Sequence, residues 1–160
     1  MRDIIVKLLT SICRFGLAAL FLFAVGAKLY FINNPEQSFL TNMPNLVGER
    51  FALPVASAVI AAELFTVILL LIPKTVRIGA ILAGLLLLVF AGYALYFRYV
   101  LGNVEGLECG CFGGIIASQL GFSTALRNLI LLIPALVVIF GYKRQGKHRN
   151  VLLEGENSFN

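Results

Sequence analysis

The chain has 160 residues, of which 59% are hydrophobic and 13% are charged, and its formal net charge is +5. A soluble domain is about half apolar and about a quarter charged, so the composition excludes an ordinary soluble domain. The positive charge does not indicate nucleic-acid binding, because that function needs a basic soluble face and the sequence offers none.

The apolar residues form four blocks, and each is close to the ~20 residues that a helix needs to cross a bilayer. The blocks lack the period-two alternation of barrel strands, so they are predicted to be helices. They cover about residues 8–31, 52–72, 78–100 and 124–142. The predicted fold is therefore all-α: a polytopic membrane protein built as a four-transmembrane-helix bundle and surrounded by lipid.

Residues 1–144 are predicted to form one transmembrane domain, and the polar residues 145–160 a disordered cytoplasmic tail. The first apolar block is longer than the usual core of a signal peptide, so it is predicted to stay as a span. Basic residues concentrate in the N-terminus, the turn between spans two and three, and the C-terminal tail. They are Arg2, Lys7, Lys74, Arg77, Lys143, Arg144, Lys147 and Arg149. This asymmetry predicts that both termini are cytoplasmic.

The chemistry-bearing segment is Glu108-Cys109-Gly110-Cys111-Phe112, in the second loop on the opposite, oxidising side of the membrane. Extended neighbours two residues apart lie at about 7 Å between Cα atoms, the upper limit for a disulfide, so bridging Cys109 and Cys111 requires a sharp turn. Gly110 permits that turn, and a strained bridge is easily reduced. The pattern favours thiol–disulfide exchange. A small structural disulfide and free thiols stay open as alternatives. A metal site completed by nearby glutamates is the third alternative, but zinc normally takes four Cys, His or carboxylate ligands, so no metal is expected.

Ionisable residues inside membrane spans are costly and mark functional or paired sites. Glu63 lies near the middle of span two, Lys28 near the outer end of span one, and Arg127-Asn128 one turn into span four, while Arg98 closes span three. One interpretation is a structural ion pair of Glu63 with Lys28 or Arg127. The other is a polar pocket beneath the two cysteines, whose cations would favour a thiolate and hold the carbonyl oxygens of a quinone. Separately, Arg14 is expected to reach out to the lipid headgroups, and Cys13 to be a small buried residue.

Several motifs resemble the MauE family of methylamine utilisation membrane proteins, within the wider DoxX-like group of four-helix membrane proteins. The segments that carry the resemblance occur in family order across nearly the whole membrane region. They are Phe23-Ala24-Val25-Gly26-Ala27-Lys28-Leu29, Ala62-Glu63-Leu64, Cys109-Gly110-Cys111-Phe112-Gly113 and Arg127-Asn128.

The resemblance implies electron traffic between sulfur outside the membrane and a carrier inside it. MauE proteins are associated with maturation of the disulfide-rich small subunit of methylamine dehydrogenase, and the DoxX-like group with thiosulfate and quinone oxidation. The expected function is thus a thiol–disulfide oxidoreductase or maturation factor of the bacterial inner membrane. Cys109 and Cys111 would exchange electrons with a periplasmic thioredoxin-like or client protein, and Lys28, Glu63, Arg98, Arg127 and Asn128 would bind a quinone.

Two other functions remain open. A small transporter or ion channel component would use Lys28, Glu63 and Arg127 as a substrate or proton path, and four helices would then require an oligomer or a partner. A non-catalytic scaffold would only dock a periplasmic redox protein.

Overall fold

The computed structural model describes residues 2–31, 44, 47–101 and 122–142. Within these residues every regular element is helical. The elements are α1 (Arg2–Phe31), α2 (Glu49–Leu71), α3 (Val76–Tyr96), a π-helix (Phe97–Leu101), α4 (Phe122–Ile130) and α5 (132–142). Four stretches are long and apolar enough to cross a membrane, namely Ile4–Tyr30, Glu49–Leu71, Val76–Val100 and Phe122–Tyr142. The predicted all-α fold with four membrane-spanning helices is confirmed.

The four spans form an up-and-down bundle. The packed pairs are α1 with α2, α2 with α3 and α3 with α4, and side chains of α5 return to α1. Residues 72–75 join α2 to α3, and we call that end of the bundle the hairpin end. The opposite end, where the π-helix finishes at Leu101 and α4 begins at Phe122, is called the loop end.

Two apolar clusters fill the bundle, and their large exposed apolar neighbours point outward toward lipid. The loop-side cluster includes Phe21, Val67, Phe90 and Ala125, one residue from each span. The hairpin-side cluster is formed by Leu17, Ala18, Leu70, Val76, Ala80, Ala135 and Val138. A hydrocarbon environment offers no hydrogen bonds, so the backbone polar groups must be bonded within the helices, and apolar side chains surround them.

The carboxyl end of α2 has all four of its last carbonyl groups hydrogen-bonded. The amide of Ile72 donates to the Ile68 carbonyl, and the Thr75 hydroxyl donates to the Leu69 carbonyl. The guanidinium of Arg14 donates to the carbonyls of Leu70 and Leu71, both at 2.6 Å. A helix end has no intrahelical partners for these groups, so Arg14 on α1 completes the end of α2.

Arg14 also donates to the Tyr142 hydroxyl at 2.9 Å, which ties α1 to the end of α5. The expectation that Arg14 reaches out to the headgroups is therefore wrong: its side chain is buried at the hairpin end. The physical reason is that the open carbonyls at a helix carboxyl end, where the helix dipole is negative, attract a cation. Cys13, expected to be buried, is partly buried against the hairpin-side cluster.

The helix of the fourth span is interrupted at Leu131, between α4 and α5. Pro134 explains the break, because it has no amide hydrogen to donate and its ring crowds the carbonyl of Ile130, four residues earlier. The π-helix at the loop end of α3 is the second irregularity. In the sequence it is followed, after Leu101, by the segment that contains the two cysteines.

Four predictions from the sequence are not tested by this fold. Which side of the membrane the termini occupy stays a prediction. Residues 145–160 and the cysteine pair Cys109 and Cys111 lie outside the described residues. The division into one membrane domain and a tail is likewise a prediction still.

Candidate functional site

An ion pair lies inside the bundle between the first two spans. The Lys28 ammonium on α1 donates to Oε1 of Glu63 on α2 at 2.5 Å, and both side chains are almost fully buried. The Lys28 backbone lies near the loop end of α1, and its flexible four-carbon side chain extends to the middle of α2. Of the two partners that the sequence offered for Glu63, the structure shows Lys28.

The third span contributes an aromatic face to this pair. The Lys28 ammonium lies 5.2 Å from the centroid of the Phe90 ring on α3. A cation within about 6 Å of an aromatic ring is attracted by the ring's quadrupole, and the attraction is stronger away from water. Phe90 therefore adds to the stabilisation of a charge that the membrane interior disfavours.

The fourth span adds polar side chains on its buried face. Thr124 and Asn128 are buried on α4, one turn apart, with Ala125 of the loop-side cluster between them. Arg127 is partly buried on the same helix. Of the predicted Arg127-Asn128 pair, Asn128 is thus an interior amide, and Arg127 is partly exposed as a residue although its Nε and Nη2 atoms are buried.

Glu63 and Asn128 each have a buried side-chain atom with no hydrogen-bond partner among the residues that the structure describes. They are Oε2 of Glu63, a side chain that is 0% exposed, and Nδ2 of Asn128, which is 2% exposed. When the carboxyl group is ionised, Oε2 of Glu63 is an acceptor and not a donor, whereas Nδ2 of Asn128 is a donor and not an acceptor. The site thus presents one acceptor and one donor that the described protein does not satisfy.

The remaining predicted site residues are not brought into this group. Arg98 lies in the π-helix at the loop end and is exposed. Cys109 and Cys111 fall outside the part of the chain that the structure describes, so their position relative to Lys28 and Glu63 stays a prediction.

Sequence reasoning missed Phe90, which lies in an apolar block of α3 and carries no signal that separates it from its neighbours. It also missed the Arg14–Tyr142 contact. A buried arginine near one end of a span, together with a tyrosine near the end of another, was the available signal. This signal predicts a contact only when α1 and α5 are known to be neighbours.

The chain was compared with protein families, curated proteins and solved structures. The family model described as "Methylamine utilisation protein MauE" matches residues 6–141, a range that includes Cys109 and Cys111 and all but the outermost residues of the four spans. No curated protein matches the chain. No solved structure matches it either.

Proposed function

The chain belongs to the MauE family, and we propose that it is a membrane thiol–disulfide exchange factor that supports the maturation of an exported protein. A membrane role in methylamine utilisation fits the family description. The finer proposal is that Cys109 and Cys111 exchange electrons with a periplasmic thioredoxin-like or disulfide-containing client. The proposed location is the bacterial inner membrane.

One observation carries the proposal: the fold joins the cysteine segment to the end of the bundle that has the buried polar site. The chain leaves the bundle at Leu101 and re-enters it at Phe122, both at the loop end. Between these two points lie Cys109 and Cys111. Arg127 lies five residues after Phe122 on α4, about one and a half turns into the helix. A cation near the cysteines would favour the thiolate that exchange chemistry requires.

A quinone as the electron acceptor balances the electrons and protons of the exchange cycle. A client thiolate attacks the Cys109–Cys111 disulfide and forms a mixed disulfide, and the client's second thiolate resolves it. The client gains a disulfide, and the chain is left with two thiols. Transfer of two electrons and two protons from these thiols to a quinone restores the disulfide and yields a hydroquinone. In the opposite direction the same steps reduce the client.

The packing of the bundle favours this function over transport. A substrate path through a single bundle would have to cross the hairpin-side cluster. Leu17, Leu70, Val76 and Val138 in that cluster are at most 2% exposed. Arg14 additionally bridges α1, α2 and α5 at the same end. The buried ion pair thus lies above a tightly packed apolar layer rather than along an open path.

Trapping a mixed disulfide tests the proposed exchange. We expect either Cys109→Ser or Cys111→Ser to accumulate a complex with a periplasmic protein that disappears on reduction. In each variant the remaining thiolate attacks the client's disulfide, and the chain's second cysteine, which would resolve the mixed disulfide, is missing. The complex should be detected on non-reducing gels of cell membranes and its partner identified by mass spectrometry. Cys13→Ser is the matched control, since Cys13 lies at the hairpin end, and it should trap nothing.

Two results would contradict the exchange function. Thiol labelling in living cells that finds Cys109 and Cys111 always reduced would exclude a redox cycle. A double Cys109→Ser/Cys111→Ser variant that fully replaces the native protein in cells would indicate a non-catalytic scaffold instead.

A further inference from the structure

Large aromatic side chains are exposed where the spans begin or end at the loop end. Each of the four spans contributes at least one, and between 44% and 73% of the surface of each residue is exposed. They are Tyr30 of α1, Phe51 of α2, Tyr96 of α3, Tyr99 of the π-helix and Phe122 of α4. We call these five residues the aromatic belt. Among the residues that the structure describes, every exposed tyrosine belongs to it.

A contact between α1 and α5 places two members of the belt at one level of the bundle. A Cβ atom on Gly141 would meet the Thr10 side chain, so these two residues face each other near the hairpin end. Tyr30 is 20 residues from Thr10, which is about 30 Å toward the loop end at ~1.5 Å per residue. Phe122 is 19 residues from Gly141, which is about 28 Å in the same direction. The levels of Tyr30 and Phe122 therefore agree to about 2 Å.

The contact of α2 with α3 places two further members in the same way. A Cβ atom on Gly79 would lie 2.8 Å from the amide nitrogen of Leu70, so these residues are at one level. Phe51 is 19 residues from Leu70, which is about 28 Å toward the loop end. Tyr96 is 17 residues from Gly79, which is about 26 Å in the same direction.

A third contact connects these two pairs. A Cβ atom on Gly84 of α3 would lie 3.7 Å from the side chain of Leu132 in the fourth span. Tyr96 is 12 residues or about 18 Å from Gly84. Phe122 is 10 residues or about 15 Å from Leu132. At each contact the levels agree to about 3 Å, so the four spans each place one belt residue in the same layer.

The distance from the belt to the hairpin end matches one bilayer. The belt lies about 26–30 Å from the level of Thr10 and Gly79, and the hydrocarbon core of a bilayer is ~30 Å thick. Just beyond that level, Lys7, Lys74 and Arg77 are exposed. The surface between the belt and these cations is therefore as tall as the hydrocarbon that surrounds it.

The chemistry of the belt fits the boundary between lipid acyl chains and headgroups. A tyrosine ring is apolar and its hydroxyl group is polar, so the side chain is best satisfied where hydrocarbon meets water. Exposed charges, which require water, lie within two residues of belt members; they are Glu49, Arg50 and Arg98. A second copy of the chain would cover one side of the bundle, whereas every span contributes to the belt. A bilayer surrounds the whole bundle and is the partner that fits.

We propose that the aromatic belt binds the phospholipid interface at the loop end and fixes the depth of the bundle in the bilayer. The tyrosine hydroxyl groups lie among the headgroups, and the five rings lie against the upper acyl chains. Leu101 and Phe122, where the chain leaves the bundle and returns to it, then lie at the level of the headgroups. The proposal does not depend on the exchange function.

Single tryptophans test the depth of the belt, because the native chain contains none. Tyr96→Trp and Phe122→Trp report on two different spans. Leu88→Trp is the matched control, since Leu88 is exposed on α3 eight residues from Tyr96, about 12 Å deeper. Each full-length variant is purified and placed in phosphatidylcholine vesicles whose acyl chains carry bromine at a known depth. We expect both belt tryptophans to be quenched most by bromine near the headgroups, and the Leu88→Trp variant by bromine near the chain ends.

Three results would overturn the proposal. Tryptophan at position 96 or 122 as deep as that of Leu88→Trp would place the belt in the hydrocarbon. Quenching by aqueous iodide but not by lipid would place it in water, and no quenching by either would mean that protein covers it. Unfolding midpoints close to the native value show that the variants fold, and either belt variant suffices if the other does not. Mixed-disulfide trapping through Cys109 and Cys111 is a separate measurement, so the exchange function and the belt can fail independently.

Discussion

The Lys28–Glu63 pair is the most costly feature of the molecule at the level of single residues. Two ions are held away from water in the interior of a membrane bundle, and each would be strongly disfavoured alone. Their contact and the Phe90 ring offset part of that cost. Well-packed apolar residues often replace a buried ion pair without loss of stability, so the pair is expected to be kept for function rather than for stability.

Single and double substitutions of this pair should give non-additive effects on stability. We expect Lys28→Met or Glu63→Met alone to lower the free energy of unfolding by about 3–5 kcal/mol, because each leaves one buried charge uncompensated. The double variant Lys28→Met/Glu63→Met should recover most of this loss. Thermal unfolding of the purified proteins in detergent measures the effect.

Ser57→Ala serves as the control for that comparison, since Ser57 is exposed and bonds only to carbonyls of its own helix. A double variant whose loss equals the sum of the two single losses would mean that Lys28 and Glu63 are not energetically coupled.

The sequence was informative about which residues carry charge in the membrane, and less so about their partners. Glu63 and Lys28 could be selected because charges in apolar blocks are rare. Whether Glu63 pairs with Lys28 or with Arg127 depends on which helices are neighbours. The apolar blocks in the sequence do not contain that information. The prediction for Arg14 is wrong for the same reason: two of its hydrogen bonds go to backbone carbonyls of α2, and every residue has a carbonyl.

At the level of elements, Gly79 of α3 lies directly against the backbone of α2 next to the hairpin. A Cβ atom placed on Gly79 would lie 2.8 Å from the Leu70 amide nitrogen and 2.9 Å from the Leu69 carbonyl carbon. Backbone atoms cannot move aside as a flexible side chain can. The small residue at this position therefore sets how closely α3 approaches the end of α2, where Arg14 donates its hydrogen bonds.

Two glycine-to-alanine substitutions in α3 should have opposite effects. Gly79→Ala is expected to destabilise the bundle by about 1–3 kcal/mol, the usual range for overpacking. Gly92→Ala should be neutral or stabilising by up to about 1 kcal/mol, because a Cβ there meets nothing within 4 Å and alanine favours the helix. Unfolding midpoints of the two variants in the same detergent provide the comparison.

Equal effects of the two substitutions would contradict this account, since helix propensity alone predicts stabilisation at both positions. The sequence alone does not show which neighbouring helix Gly79 contacts. Helix positions were more predictable than helix ends. The apolar blocks correspond to the four spans, whereas α1 begins already at Arg2 and the fourth span is broken at Leu131.

For the molecule as a whole, the fold makes the two ends of the bundle chemically different. The hairpin end is closed by the apolar hairpin-side cluster and by the Arg14 contacts. The chain leaves the loop end at Leu101 and returns at Phe122, and Cys109 and Cys111 lie between these two residues in the sequence. The ion pair lies between the loop end and the apolar layer. The proposed exchange chemistry works only if the loop end faces the oxidising compartment.

The orientation of the bundle is the last prediction, and labelling of single cysteines from outside the inner membrane tests it. In a chain with Cys13, Cys109 and Cys111 replaced by serine, Glu49→Cys reports on the loop end and Lys74→Cys on the hairpin end; both positions are exposed. We expect a membrane-impermeant maleimide to label Glu49→Cys in intact spheroplasts, and Lys74→Cys only after lysis. The reason is that lysine and arginine are retained on the cytoplasmic side, and the hairpin turn carries Lys74 and Arg77. The reverse pattern would place the cysteine loop in the reducing cytoplasm, where a disulfide does not persist, and would remove the basis of the exchange function.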